Sequence, residues 1–253
     1  MNTESNQLPP LESGKRPRVL LDGPYGKANL GDNAIAYCMS QFLLRNGIDV
    51  AISCLDPHYI RDSFGLEAIA TLNFRRFDLG ALRNVADFDA IIIGGGQQLM
   101  EYRVPNPFIG MFARVCHMAR AAQKHDIPFV AWSVGMDWPL SSVARYQARR
   151  YMGGENSTLI LRDGASFENA RILFRGKRCR LIQNKDAAFM IPQVISQPKL
   201  PGDRQSSQTR SARRLLVCPS VIGGLGAPLD RLVELCMGAA RHGYEVVGWH
   251  SEI

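Results

Sequence analysis

The sequence predicts an α/β fold: a mostly parallel sheet with helices on both faces. Three observations carry this reading. Short apolar runs alternate with segments of helical periodicity along most of the chain, which is the spacing of βαβ units. One run, Asp89-Ala90-Ile91-Ile92-Ile93, is apolar without alternation, as in a strand covered on both faces. Nearly every such run ends in a polar or glycine-rich loop. In an open parallel sheet those loops share the carboxyl edge, where ligands bind.

The elements follow in order. Arg18 to Asp22 is a first strand, and Gly23-Pro24-Tyr25-Gly26-Lys27-Ala28-Asn29-Leu30-Gly31-Asp32 turns it into a helix from Asn33 to Arg45. Asn46-Gly47 ends that helix with a C-cap signal. Ile48 to Cys54 is a second strand, Asp56 to Phe64 a short irregular or helical piece, Ile69 to Phe74 a short strand and Leu79 to Ala86 a helix. The buried strand then runs into Gly94-Gly95-Gly96-Gln97-Gln98. Pro107 to His125 is helical, Phe129 to Ser133 a strand, and Pro139 opens a helix through Tyr151. Thr158 to Leu161 is a strand ending in Arg162-Asp163, Ser166 caps or enters a helix to Phe174, and Cys179 to Ile182 is a strand leading to Asp186.

Ser196 to Arg213 interrupts the alternation with two prolines, a glycine, four serines, a threonine and five charged residues, the composition of a linker. Beyond it come a strand at Leu215 to Cys218, a helix at Leu229 to Arg241 and a strand at Tyr244 to Trp249. The expected organisation is a flexible tail at 1–17, a first domain at 18–195, a linker at 196–213, and at 214–253 the start of a second domain that is incomplete. Forty residues are too few for an independent α/β domain.

The chain has 253 residues, 46% of them hydrophobic, ordinary for a globular protein. Met1 to Pro17 has no apolar stretch of the signal-peptide kind, and no run reaches membrane-spanning length. The six cysteines are scattered without a CxxC pair, which argues against zinc and for reduced thiols. The histidines show no ligand spacing, so no metal is expected. These features point to the cytoplasm. The net charge of +7 gathers around Arg145 to Arg150, Arg175 to Arg180 and Arg204 to Arg214. Such patches suit a solvated basic face, an anionic substrate or an anionic membrane. No helix-turn-helix or aromatic RNA-binding pattern accompanies them, so no specific nucleic acid is expected.

Three loops are candidates for chemistry. The first is Gly23 to Asp32. Its glycines admit a closely approaching ligand, Asn29 and Asp32 sit at its mouth, and a helix N-terminus behind it offers free N–H groups to an anion. The spacing is not GxGxxG; the plainer alternative is a tight turn with Asp32 as helix cap. The second is Gly94-Gly95-Gly96, with Gln97 and Gln98 as amide donors and acceptors, or simply a point of close packing. The third is Arg162-Asp163. The arginine forks toward a carboxylate or phosphate, or the pair braces the loop internally. Asp186 fits a structural role.

The ordered set of loops resembles the polysaccharide pyruvyl transferase family. Tyr25 to Ile35 is similar to that family's amino-terminal motif, and Asp89 to Gly96 to its strand ending in three glycines. Ser133-Val134-Gly135 resembles its next glycine loop. Arg162-Asp163 with Ser166, then Asp186-Ala187-Ala188-Phe189, resemble its Arg-x-x-Ser and Asp-x-Ala-Phe segments. The match covers Val19 to Phe189. Departures are Met136-Asp137 where Gly135 is usually followed by proline, Lys185 where a proline often precedes the aspartate, and the lack of an Arg-Leu-His segment.

The resemblance implies two Rossmann-like halves across a GT-B-like cleft. It implies transfer of a pyruvyl group, as a ketal, from phosphoenolpyruvate to a sugar of a surface polysaccharide or its lipid-linked precursor, with no cofactor. Asp32 is then the catalytic base or acceptor-binding residue. Tyr25, Gly26, Asn29, Gly31, Gly95, Gly96, Gln97, Arg162, Asp163 and Ser166 are substrate-binding candidates. The expected partners are phosphoenolpyruvate, a saccharide acceptor, the inner face of the cell membrane and further subunits. Activity is expected to need the missing carboxy-terminal half. The alternatives are a GT-B glycosyltransferase using a nucleotide sugar, and a non-catalytic assembly module.

Overall fold

The structure, a computed structural model, describes residues 16–26, 30–71, 80–101, 110–187, 213–217, 237–238, 241–242 and 244–248. The chain divides into two compact units, 1–196 and 197–253.

The first unit is a seven-stranded sheet. Its elements are β1 (Arg18–Asp22), α1 (Leu30–Arg45), β2 (Asp49–Cys54), α2 (Pro57–Phe64), β3 (Glu67–Ala70), α3 (Gly80–Arg83), β4 (Ala90–Gly94), α4 (Met111–Lys124), β5 (Phe129–Val134), α5 (Ser142–Tyr151), β6 (Ser157–Leu161), α6 (Gly164–Leu173) and β7 (Arg180–Gln183). The strand order is β3-β2-β1-β4-β5-β6-β7, and every neighbouring pair is parallel. The chain winds outward from β1 in one direction, returns, and winds from β4 in the other. The strand order therefore reverses between β1 and β4, the position where doubly wound sheets bind ligands.

Alternation along the strands sorts the core onto two faces. Val19, Leu21 and Ile92 pack with Ile35, Met39 and Leu43 of α1 and Ile60 of α2. Leu20, Ile91 and Ile93 pack with α4, α5 and α6 through residues such as Val115, Met118, Ala148 and Leu173. One-handed crossovers require this: the helices made while winding one way cover one face, and those made on the return cover the other.

Several elements start elsewhere than the sequence suggests. α1 begins at Leu30, so Asp32 lies in its first turn and is not its cap. β3 lies at Glu67–Ala70, upstream of the expected 69–74, and 72–79 are outside the described residues. α5 begins at Ser142, because the Ser141 hydroxyl accepts from the Ala144 amide at 3.2 Å and caps it; Pro139 lies before the cap. α6 begins at Gly164 with Asp163 as its cap. The expected helix at Pro107 to His125 is described only as α4, from Met111.

A buried ion pair crosses the centre of the sheet. Asp22, at the end of β1, is 0% exposed, and Arg114 of α4 is 7% exposed. The Arg114 guanidinium donates to the Asp22 carboxylate through one nitrogen and to Gln98 Oε1 at 2.7 Å through another. Asp22 also accepts from Ser53 Oγ at 2.6 Å, at the end of β2, and from Thr71 Oγ1 at 2.8 Å, just past β3. One carboxylate thus ties the carboxyl ends of β1, β2 and β3 to α4 and the loop after β4.

The second unit contains two described strands, β8 (Arg213–Val217) and β9 (Tyr244–Gly248). They pair in parallel, Arg213 opposite Tyr244 through Val217 opposite Gly248. Parallel neighbours need a crossover, and residues 237–238 and 241 between them are helical. Most of the expected helix at 229–241, and Trp249, lie outside the described residues.

Among the described residues no helix is long and apolar enough to cross a membrane. Cys38, Cys54, Cys116 and Cys179 are free thiols. Burial pushes the Cys54 thiol up to about 12 and raises Cys116 further, so these cysteines are packed and unreactive at neutral pH.

Replacing Arg114 by Met leaves a buried carboxylate without its cation. Urea unfolding of Arg114→Met should show a loss of about 3–5 kcal/mol. Adding Asp22→Asn to that variant should recover much of the loss, because the uncompensated charge is then gone.

Candidate functional site

The loops that leave β1 and β4 meet at the strand-order reversal. Their glycines do two different jobs. A Cβ on Gly94 would lie 2.3 Å from the Tyr25 hydroxyl and 2.8 Å from Leu21 Cδ1, and one on Gly95 would lie 2.3 Å from Ile35 Cγ2. Neither can carry a side chain, because β1 and α1 press against them. Both are therefore packing glycines. Gly96, at φ +70°, faces more open space: a Cβ there would lie 3.3 Å from Asp32 Oδ1 and 3.6 Å from Gln98 Nε2. The backbone of Gly96 is thus the part of the triple glycine that stands beside the Asp32 carboxylate.

Tyr25 is 1% exposed, and its hydroxyl donates to the Gly94 carbonyl at 2.7 Å. Burial, and then the nearby Asp22 carboxylate, push its phenol well above the ordinary value, so it remains a donor. Its side chain joins the two loops from beneath and does not face their mouth. Gly26, at φ +79°, leaves no room for a side chain against the Asp56 backbone at 2.7 Å. Its amide donates to Asn33 Oδ1 at 2.9 Å, which fixes the loop to α1. Asn29 lies outside the described residues. Gly31 is exposed in the first turn of α1.

Asp32 is half-buried in that first turn, between the loop after β1 and Gly96. Burial raises its carboxyl above the ordinary value of 3.8. It therefore takes up a proton more readily than a surface aspartate, the property a base near neutral pH needs.

The loops after β5 and β6 form a second layer beside this one. Gln97 bridges them: its Nε2 donates to Asp137 Oδ1, and its Oε1 accepts from Arg162 Nη2. Arg162 also lies 3.3 Å from Asp186 and 3.5 Å from Asp163. All three guanidinium nitrogens are thus engaged within the chain, which is the bracing arrangement. Asp163 Oδ1 accepts from the Ser166 amide at 2.7 Å. That bond, chiefly, holds the Asp163 carboxyl below its usual range. Ser166 is buried, and its Oγ accepts from the Met136 amide at 2.9 Å. Ser166 thereby clamps the loop after β5, whereas Asp163 caps α6 and keeps its carboxylate exposed. Ser133, at φ +55°, donates its hydroxyl to the Lys185 carbonyl at 2.9 Å, where β5 shifts register against β6. A non-glycine residue in that region is strained, and such residues gather at functional edges.

Sequence reasoning did not single out Asp22 or Arg114. A signal for them exists. Arg114 stands alone in the apolar run Phe112-Ala113-Arg114-Val115-Cys116, and a cation in such a stretch needs a buried carboxylate. Asp22, ending an apolar strand, is the obvious partner. Trp132 is half-buried and meets Phe42 edge to face at 5.6 Å. Among the described residues no group of three or more His, Cys, Asp or Glu could hold a metal ion.

Comparison with known proteins bears on this geometry. The chain is similar in fold to a protein described as a UDP-N-acetylglucosamine 2-epimerase from Listeria monocytogenes, with a TM-score of 0.50 and 11% identity over 92% of this chain and 62% of that one. It also aligns with a glycosyltransferase from Rickettsia africae, with a TM-score of 0.49 and 11% identity over 94% of this chain and 69% of that one. The chain spans less than two thirds of the epimerase. At 11% identity the likeness to the epimerase speaks to fold alone, and it agrees with the Rossmann-like α/β sheet. Curated proteins give no significant match. A family model described as polysaccharide pyruvyl transferase matches residues 29–232. That span holds α1 with Asp32, the triple glycine and Arg162, most of the first unit and part of the second, so the chain belongs to the polysaccharide pyruvyl transferase family.

Proposed function

We propose that this chain carries the acceptor side of a pyruvyl transferase site, with Asp32 as its base. The observation that supports the reading most is the position of Asp32, a half-buried carboxylate with a raised proton affinity beside the Gly96 backbone at the strand-order reversal. The donor in this reading is phosphoenolpyruvate and the acceptor a saccharide with two hydroxyls placed to close a ring.

The chemistry balances as follows. A proton adds to the methylene carbon of phosphoenolpyruvate, leaving positive charge on the central carbon. A sugar hydroxyl adds there and gives up its proton. Phosphate leaves with its bonding pair, and the second hydroxyl adds to the same carbon as its proton departs. The products are a ketal and inorganic phosphate. Asp32 is positioned for the hydroxyl proton, with the carboxylate as acceptor and burial raising its basicity. Gly96, whose missing side chain leaves room beside Asp32, lets the sugar approach. Arg162 serves through Gln97: held by Asp163 and Asp186, it fixes the amide next to Gly96. In this reading it orients the site and is not the main anion contact.

The purified chain, incubated with phosphoenolpyruvate and a panel of saccharides, should release phosphate only when the acceptor carries a suitable diol. Turnover of a nucleotide sugar without phosphate release from phosphoenolpyruvate would favour a glycosyltransferase instead. Asp32→Asn should lower turnover by about 10²–10⁴-fold while the protein stays folded.

Stability supplies an independent check. A carboxyl raised in the folded state binds its proton more tightly there than in the unfolded chain. Its contribution is fully present below the ordinary value of 3.8 and is lost as pH rises through the raised one. Asp32→Asn should therefore match or exceed the parent protein in melting temperature at neutral pH. The difference should shrink as pH falls toward 4.

A further inference from the structure

The amino edge of the sheet, opposite the candidate site, is rich in cations where α5 and α6 end. Residues 142–183 hold nine arginines and lysines against three carboxylates, Arg162 and Asp163 of the opposite edge among them, in a protein whose total net charge is +7. The αβ loops gather much of this charge into one surface. The end of α5 and the turn after α6 enclose a cleft of about 300 Å³ lined by Arg149, Arg150, Lys177 and Arg178 with Gly153 and Gly176. A second cleft, lined by Arg171, Ile172, Arg175 and Lys177, adjoins it, and Lys177 belongs to both.

Two of the three carboxylates are spoken for by neighbours on this surface. Glu155 pairs with Arg178 at 2.5 Å and Glu168 with Arg171 at 2.8 Å; Asp163 caps α6. Asp126, nearby at the same edge, accepts from Asn156. Arg149 is used structurally, donating to the Leu173 and Arg175 carbonyls. The side chains of Arg150, Arg175 and Lys177 are exposed, and no hydrogen bond or ion pair of theirs is found among the described residues. The surface is therefore built and then left with uncompensated cations.

It also exposes apolar groups between those cations. Ile172 is 53% exposed and sits between Arg171 and Arg175 in sequence; Tyr146 of α5 is 68% exposed and lies one helical turn before Arg150. Basic residues interleaved with an exposed aliphatic and an aromatic side chain match the two requirements of a lipid interface: anionic headgroups for the charge and acyl boundary for the apolar tips. A nucleic acid would meet the cations but has no use for Ile172. Helix C-termini and edge strands do attract basic residues for local reasons. Arg149 and Arg150, in the last turn of α5, answer that need, whereas Arg175 and Lys177 lie beyond the end of α6.

We propose that this amino-edge face docks on an anionic lipid bilayer, leaving the carboxyl-edge loops turned away from it. The inference does not depend on the reaction proposed above.

Vesicle co-sedimentation of the full chain tests it. The protein should sediment with phosphatidylglycerol–phosphatidylcholine vesicles and not with phosphatidylcholine alone, and rising salt should release it. Each cation near such a surface changes affinity by about fivefold. Reversing three at once, in Arg150→Glu/Arg175→Glu/Lys177→Glu, should weaken binding by about a hundredfold or more. Since these side chains have no described partners, the variant should keep its melting temperature; Lys177→Gln provides a milder second variant, expected to lose about fivefold. Ile172→Ser should weaken vesicle binding without changing retention on heparin. No sedimentation with anionic vesicles would overturn the proposal, as would equal binding by the triple variant. Full competition by duplex DNA together with an unchanged Ile172→Ser variant would assign the face to polyanions instead.

Discussion

A carboxylate and a guanidinium, both shut off from water, meet at the carboxyl ends of the central strands. Removing two such charges from water costs several kcal/mol each. Asp22 and Arg114 offset that cost only because the rest of their valences are filled. Ser53 and Thr71 donate to the carboxylate, and Gln98 accepts from the guanidinium. The arrangement forces three strand ends, one helix and the loop after β4 to keep a single mutual geometry. Apolar packing of the two faces would hold the sheet together without it. What the pair adds is a fixed height and orientation for the loops above the strand-order reversal.

Those loops are fitted to one another by what they lack. Gly94 and Gly95 are bare because Tyr25, Leu21 and Ile35 occupy the space their side chains would need. Tyr25 then closes the gap with a hydrogen bond to the Gly94 carbonyl. With the base of the loops locked in this way, Gly96 and Asp32 are left adjacent. Burial sufficient to raise the Asp32 carboxyl, without sealing it, is a consequence of its place in the first turn of α1. A neighbouring layer, Gln97 with Arg162, Asp163 and Asp186, is held almost wholly by internal bonds. In the proposed reading it positions the site.

The fold was legible because its signals are local and repeated. Uninterrupted apolar strands, glycine-rich strand ends and helical periodicity identify the parallel sheet one unit at a time. Boundaries set by a single side chain were harder to read. The start of α5 depends on Ser141 accepting one amide hydrogen bond, and the start of α6 on Asp163 doing the same; on paper Pro139 serves equally well as a first helical residue and Ser166 as a cap. For the candidate site, sequence named loops that the fold brings side by side, but not the contacts within them. That Gly94 packs while Gly96 opens onto Asp32, or that Tyr25 turns inward, depends on contacts between residues about seventy positions apart. The Asp22–Arg114 pair spans 92 positions, and only the lone cation in an apolar helix hinted at it.

In the proposed reading, ligands of this chain are met by the loops at the reversal between β1 and β4. Amide hydrogen exchange, with and without a diol-bearing saccharide that supports phosphate release, tests it most directly. The account predicts slowed exchange in Gly23–Gly26, Gly31–Ile35 and Gly94–Gln98, with no change at residues 149–156 and 174–178. Protection confined to the amino edge, or spread away from these three segments, would contradict it.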